Sequence, residues 1–266
     1  MIYYQQRFGL EIIYLLKLLS MNELFLEGKR SEIAEELGIG EPKLVAMEQY
    51  LRILDLLDGN KKITNFGEKI LLMKNNLDFI EPLLYYKLTR EPERDGHYIY
   101  SNLVNDVLYS FYLETYTNKI TKNELLKEGM KIQHGNIRDD RWDDLVKKAI
   151  STLINDKTGF GKLGILEEVK EDYEVHSYWV EPLVAAYIIY DLWDENMVSK
   201  SIKEIETEKY HIGRMFLMDE DAVRETLEEI QALKLINIET IAGLNQIRIN
   251  PNITKEDILN MIIKEA

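Results

Sequence analysis

"RSEIAEELGIGEPKLVAMEQYLRILDLLDGNKKITNFGEKIL", residues Arg30 to Leu71, carries most of what can be read about how this chain begins. Ser31 stands where a helix N-cap is wanted, Glu35 follows, and Gly38 and Gly40 close that short helix in a tight turn. A second helix opens at Glu41-Pro42, because proline in a first turn gives up no helical hydrogen bond. Apolar residues at 44, 47, 51, 54 and 57 then keep the three-four spacing of a buried face, until Asp58-Gly59-Asn60 turns the chain. Lys61 to Thr64 reads as a short extended stretch, with a further helix from about Phe66. Upstream, apolar residues at 8, 12, 15, 16 and 19 predict an amphipathic helix over Phe8 to Leu26. Three helices and a basic-tipped hairpin make a winged helix-turn-helix.

The same outline recurs more loosely. "DDLVKKAISTLINDKTGFGKLGILEEVKEDYEVHS" (143–177) predicts a helix, a glycine-rich turn and two strands, Leu163 to Val169 and Tyr173 to His176. "FLMDEDAVRETLEEIQALKLINIETIAGLNQIRIN" (216–250) predicts a helix from about Asp219 to Leu233, then strands at Leu235 to Glu239 and Gln246 to Ile249. Between them run "FIEPLLYYKL", "YIYSNLVNDVLYSFYLETY" and "SYWVEPLVAAYIIYDLWDE". Tyrosines this dense at helical spacing pack helices together with the hydroxyl at a wet edge; base-stacking platforms are the functional alternative. The expected fold is mainly α with short β-hairpins (α+β): tandem winged helix-turn-helix-like units joined by aromatic-rich helices. The expected boundaries are 1–75 for the N-terminal winged unit, 76–135 for a helical connector, 136–200 for a second winged-helix-like unit with its following helix, and 201–266 for a third.

Composition narrows the function. The 266 residues, 45% hydrophobic and 30% charged, can bury a sizeable core. The absence of cysteine removes disulfides, thiolate nucleophiles, zinc fingers and iron–sulfur clusters, and fits the cytoplasm. No apolar run approaches the roughly 20 residues that span a bilayer, and "MIYYQQRFGLEII" lacks the order of a signal peptide. A soluble cytoplasmic protein without membrane contact is expected. The net charge of −14 argues against a chain that coats nucleic acid indiscriminately, since lysine and arginine supply most of that affinity. The charge is uneven: residues 1–75 hold 10 basic and 11 acidic residues, whereas 136–200 hold 8 and 14, and 201–266 hold 8 and 13. The first unit is therefore the one best placed to meet phosphate.

Within it, Lys43, Gln49 and Arg52 lie on the helix that would enter a major groove, Lys61 and Lys62 on the wing, and Lys29 and Arg30 ahead of the second helix. Solvated residues on a fold used for protein contacts are the plainer reading, which Glu41 and Glu48 favour. In "RDDRWDD", Asp139 with Asp143 and Asp140 with Asp144 are spaced for a magnesium ion, although acidic first turns commonly just complement the helix dipole. Asp156 with Glu168 and Lys170 superficially fits a nuclease pattern, in a stretch that reads better as a hairpin. His97, His134, His176 and His211 show no metal-ligand spacing, and no P-loop, dinucleotide fingerprint or nucleophile elbow is present.

The order "RFGL" (7–10), "IAEELGIGEPKLVAMEQYLRILDLLD" (33–58), "ITNFGEKIL" (63–71), "YYKL" (85–88), "GRMFLMDEDAV" (213–223) and "IAGLNQI" (241–247) resembles the family catalogued as domain of unknown function 4007. Members of that family are similar to the SspB subunit of bacterial single-strand DNA phosphorothioation systems that defend against phage. The resemblance implies recognition of double-stranded DNA, other defence-system subunits as partners, and strand nicking, with Mg2+ as cofactor only if nicking occurs. It transfers no catalytic residue. The alternative of a different class is a non-catalytic adaptor or transcription-regulator-like protein whose winged units bind other subunits.

Overall fold

The computed structural model describes residues 8–21, 28–91, 98–114, 118–133, 138–155, 159–241 and 244–266. The N-terminal unit consists of α1 (Ile12–Leu19), α2 (Arg30–Leu37), α3 (Glu41–Ile53) and α4 (Asn65–Leu72). Gly38, at φ +66°, ends α2 in the left-handed conformation that glycine adopts without a Cβ penalty. The start of α2 differs from the sequence expectation. The helix begins at Arg30 with Lys29 at its N-cap, so Ser31 lies inside it and caps nothing.

The expected hairpin shrinks to one β-bridge between Leu57 and Ile63. The cause is local, because the Asp58 carboxylate accepts from the backbone N–H of Asn60 and of Lys62, both at 2.8 Å, using a donor that a longer ladder would need. Thr64 then caps α4 by accepting from the N–H of Gly67 at 3.0 Å.

Two central helices hold the molecule together: α5 (Leu77–Thr89), buried without a break from Ile80 onward, and α10 (Pro182–Asp191), buried from Leu183 to Tyr190. Between them in sequence run α6 (Tyr98–Asn102), a π-helical turn (Leu103–Leu108), α7 (Tyr109–Glu114), β1 (Lys119–Thr121), α8 (Lys122–Lys131), α9 (Asp139–Ile154), β2 (Leu166–Val169) and β3 (Asp172–Val175). After α10 come β4 (Lys200–Ser201), α11 (Ile202–Thr207), α12 (Ile212–Met215), α13 (Glu220–Ala232), β5 (Ile236–Ile241), β6 (Leu244–Ile249) and α14 (Lys255–Glu265).

Both sheets are antiparallel and three-stranded, in the orders β1-β3-β2 and β4-β6-β5. Ile120 lies opposite Tyr173 and Leu166 opposite Val175 in one; Lys200 and Ile238 both face Ile247 in the other. In each, a very short strand leads directly into a helix through a capping box, Thr121 with Glu124 and Ser201 with Glu204. A strand, helices and a closing hairpin thus occur twice with the same strand order. The sequence reading missed β1 and β4 and began the second unit's first strand at Leu163, which instead lies in a 3-10 turn over Gly161–Leu163.

The tyrosines at the centre are packing residues. Tyr85 packs against Phe160 and Phe216 while its hydroxyl donates to the Met215 carbonyl at 3.1 Å, and the hydroxyls of Tyr50 and Tyr100 meet at 2.9 Å. Burial raises all three phenols above their usual range, which keeps them neutral hydrogen-bonding groups. Among the described residues no helix is long and apolar enough to cross a membrane.

Candidate nucleic-acid interface

The outer face of α3 forms a shallow depression of ≈ 780 Å³ together with the start of α2. Arg30, Gln49 and Arg52 line it, and so do Glu41 and Glu48. The structure therefore brings three of the seven candidates to one surface. Lys61 adjoins them, because its left-handed backbone (φ 65°) carries the ammonium to 3.6 Å from the Glu48 carboxylate. Arg30 approaches the same carboxylate oxygen, also at 3.6 Å. Glu48, treated in the sequence as an obstacle to DNA, is a nearly buried carboxylate, 6% exposed, lying between two of the cations.

Lys29 and Lys62 are exposed; Lys29 sits 3.6 Å from Glu32 at the mouth of α2, an ion pair of small energetic weight. Lys43 behaves differently. Its ammonium lies 2.8 Å from Glu11 and 4.2 Å from the centre of the Tyr14 ring, tying α3 to α1 with only 19% of the side chain exposed.

A second polar cluster, invisible in the sequence, lies where α3, α5, α10 and α14 meet. The Lys87 ammonium is 2.7 Å from Asp191 and 3.5 Å from Asp55, and it faces the rings of Phe66, Tyr86 and Tyr187. Arg90 reaches Asp55 at 2.7 Å, while Lys255 and the Tyr86 hydroxyl reach Asp191, each at 2.7 Å. Burial lowers the affinity of Lys87 for its proton and Asp191 opposes that loss. For Asp191, burial alone would raise the carboxyl, but Lys87, Lys255 and Tyr86 together hold it well below the usual carboxylate range. These groups compensate one another, so the cluster pins the N-terminal unit to the central helices.

A third cluster takes in the first two residues of "GRMFLMDEDAV", Gly213 and Arg214. At the π-helical turn, Asn105 donates to the carbonyls of Thr89 (2.8 Å) and Ser101 (3.0 Å) and accepts from the N–H of Tyr210 (3.0 Å). Asp106 receives Lys209 at 2.6 Å and Arg214 at 3.3 Å, with the Arg214 guanidinium 4.4 Å from the centre of the Tyr109 ring. Gly213 lets α12 lie close against α11, since a Cβ there would meet the Glu206 carbonyl oxygen at 2.4 Å.

The acidic run "RDDRWDD" is engaged locally: Asp140 pairs with Arg138 at 2.6 Å and Asp143 with Lys147 one turn on. Glu168 sits in β2 paired with Lys122, and Lys170 turns the β2–β3 hairpin at φ 59°. Asp156, His97 and His134 lie outside the described residues. His176 is 3.7 Å from Glu174. His211 is buried at the start of α12, where burial, with Lys200 adding to it, pushes the imidazole down to about 4. Among the described residues no three His, Cys, Asp or Glu side chains are grouped to hold a metal ion.

The fold as a whole is similar to two solved structures, the crystal structure of SspB and that of magnesium-ion-bound SspB. The TM-scores are 0.69 and 0.70, each at 16% sequence identity, and each comparison covers 98% of this chain and 86% of the other. No curated protein matches the chain. Residues 17–263 match the family described as protein of unknown function DUF4007, and the chain belongs to that family.

Proposed function

We propose that this protein is a DNA-binding component of a phosphorothioation-linked anti-phage defence system, assembling there with other subunits. The observation that carries the proposal is the likeness to SspB along 98% of the chain. In this reading the three units are winged helices, with approximate bounds 1–75, 136–200 and 201–266 around the 76–135 connector, whose β1 (Lys119–Thr121) joins the sheet of the second unit. The repeated order β1-β3-β2 and β4-β6-β5 supports it for the second and third units, because a leading strand that pairs beside the last strand of a following hairpin is what such units require, whereas the first unit carries the Leu57–Ile63 bridge. Duplex DNA would lie on the first unit, with Arg30, Gln49, Arg52, Lys61, Lys62 and Lys29 toward it; Lys43, held by Glu11, is the least available of the seven.

Strand nicking is the further step of this reading. The solved magnesium-bound state of SspB motivates it, and Mg2+ would be the cofactor. The test is direct. The purified protein should retard duplex DNA at low salt with an affinity that falls steeply as salt rises, and should convert supercoiled plasmid to open circles when magnesium is added. Absence of any retardation would remove DNA binding; retardation without open circles would remove nicking alone.

One feature favours a protein-docking reading for the later units. Their helices equivalent to α3 are acidic: Asp139, Asp140, Asp143 and Asp144 begin α9, while Glu220, Asp221, Glu225, Glu228 and Glu229 mark α13. These surfaces repel phosphate and fit a basic subunit. Mixing with basic candidate subunits of such a defence system and measuring co-elution at rising salt tests that assignment.

A further inference from the structure

The depression on α3 is lined by the acceptors Glu41, Glu48 and Gln49 and by the cations Arg30 and Arg52. Among the described residues Glu48 Oε1 is buried and has no hydrogen-bond partner, and the adjacent Gln49 Oε1 is in the same condition. Glu48 Oε2 is shared by Arg30 and Lys61 at 3.6 Å each, beyond ordinary hydrogen-bond length, so neither cation fully satisfies it. Orphaned buried acceptors are costly and rare in folded proteins, and two on successive residues of α3 call for a donor that the described residues do not supply. What complements such a surface is a hydrogen-bond donor flanked by negative charges.

In the major groove of a duplex, the donors on base edges are the exocyclic amino groups of cytosine and adenine, with phosphates on either side. We propose that Glu48, assisted by Gln49, reads the amino group of a cytosine or an adenine in the major groove, while Arg30 and Lys61 pass from Glu48 to the flanking phosphates. This rests on the DNA-binding reading above. The two side chains are suited to the transfer: Arg30 is 51% exposed and Lys61 30% exposed, and both are long enough to swing while their backbones stay in place. Glu48 is thus a specificity residue whose charge is masked until phosphate takes its partners.

The experiment selects preferred sites from duplexes with a randomised centre, using the full-length protein, and compares it with Glu48→Met and Glu48→Ala, neither of which offers a strong acceptor. At the preferred position the amino group is then deleted, with purine replacing adenine or pyrimidin-2-one replacing cytosine. The wild type should lose on the order of ten-fold in affinity on that deletion, and both variants should be indifferent to it. Glu48→Met is close to glutamate in size and carries the test should Glu48→Ala fold poorly.

Variants that bind every duplex more tightly by one common factor, with the preference intact, would make Glu48 a mere repeller of phosphate and overturn the inference. So would a wild type that binds duplexes without preference, although DNA binding itself would then stand. A wild type that binds no duplex at low salt overturns the underlying reading and this inference with it.

Discussion

Lys87 and Asp191 lie 2.7 Å apart with side chains 4% and 6% exposed, and the two residues are separated by more than a hundred positions in the chain. Removing one partner of such a pair leaves a buried charge uncompensated, which typically costs about 3–5 kcal/mol. Asp191→Asn should therefore lower stability by that order in denaturant unfolding. Lys87→Met combined with Asp191→Leu should cost less than the single change, since both charges leave together. Equal or greater loss in the double variant would mean that Lys255 and Asp55, not the pair, dominate the cluster.

The same carboxyl gives an acid limit. Its folded pKa lies below the unfolded value, so its contribution is complete above the ordinary carboxylate pKa of 3.8 and is lost as pH falls beneath it. Between neutrality and that point Asp191 should add no slope to a plot of stability against pH.

His211 should dominate the slope at milder pH. Its pKa is 6.5 in an unfolded chain and about 4 here, so the unfolded state binds the extra proton between those values. The neutral ring's contribution is fully present above 6.5, falls as pH drops toward 4 and levels below it, a loss on the order of 3 kcal/mol. Lys200, Glu204 and Glu208 face the ring. His211→Gln should flatten unfolding free energy measured between pH 7.5 and 5 on that side; an unchanged slope would assign the titration elsewhere.

Gly213 and Gly59 make a matched pair. A Cβ on Gly213 would meet the Glu206 carbonyl oxygen at 2.4 Å, whereas one on Gly59 meets nothing within 4 Å. Gly213→Ala should destabilise by about 1–3 kcal/mol through overpacking, and Gly59→Ala should change stability by less than about 0.5 kcal/mol. Thermal unfolding of the two variants checks the contrast.

On the DNA-binding reading, Lys61→Glu with Lys62→Glu should weaken binding to all duplexes by a similar factor and make the salt dependence shallower, because wing lysines meet the backbone and carry no sequence information. Titrations of two unrelated duplexes at several salt concentrations measure it. Unchanged affinity and slope would take the wing away from the DNA.

What the sequence revealed and what it hid divide along the range of the interactions. The helices α3 and α13 were legible because periodicity and end signals are local: Pro42 near the start of one, Asp219 capping the other. The strands β1 and β4, three and two residues long, are too short to show alternation and exist only because β3 and β6 pair with them. The N-terminal wing is shorter than the sequence predicts, since the Asp58 side chain takes the Lys62 N–H that a longer ladder would use. Site residues follow the same rule. Lys43 had the position of a groove contact but is held by Glu11 from another helix, and Glu48 could be recognised as a shared partner of Arg30 and Lys61 only once the fold set them side by side.

The strand orders carry a consequence for biosynthesis. β1 pairs with the third strand of its sheet, so Lys119–Thr121 has no ladder partner until Asp172–Val175 has left the ribosome; β4 waits in the same way for Leu244–Ile249. Each sheet is therefore completed by its last strand, and a nascent chain arrested between Thr121 and Asp172 presents an unpaired edge to whatever protects newly made polypeptides.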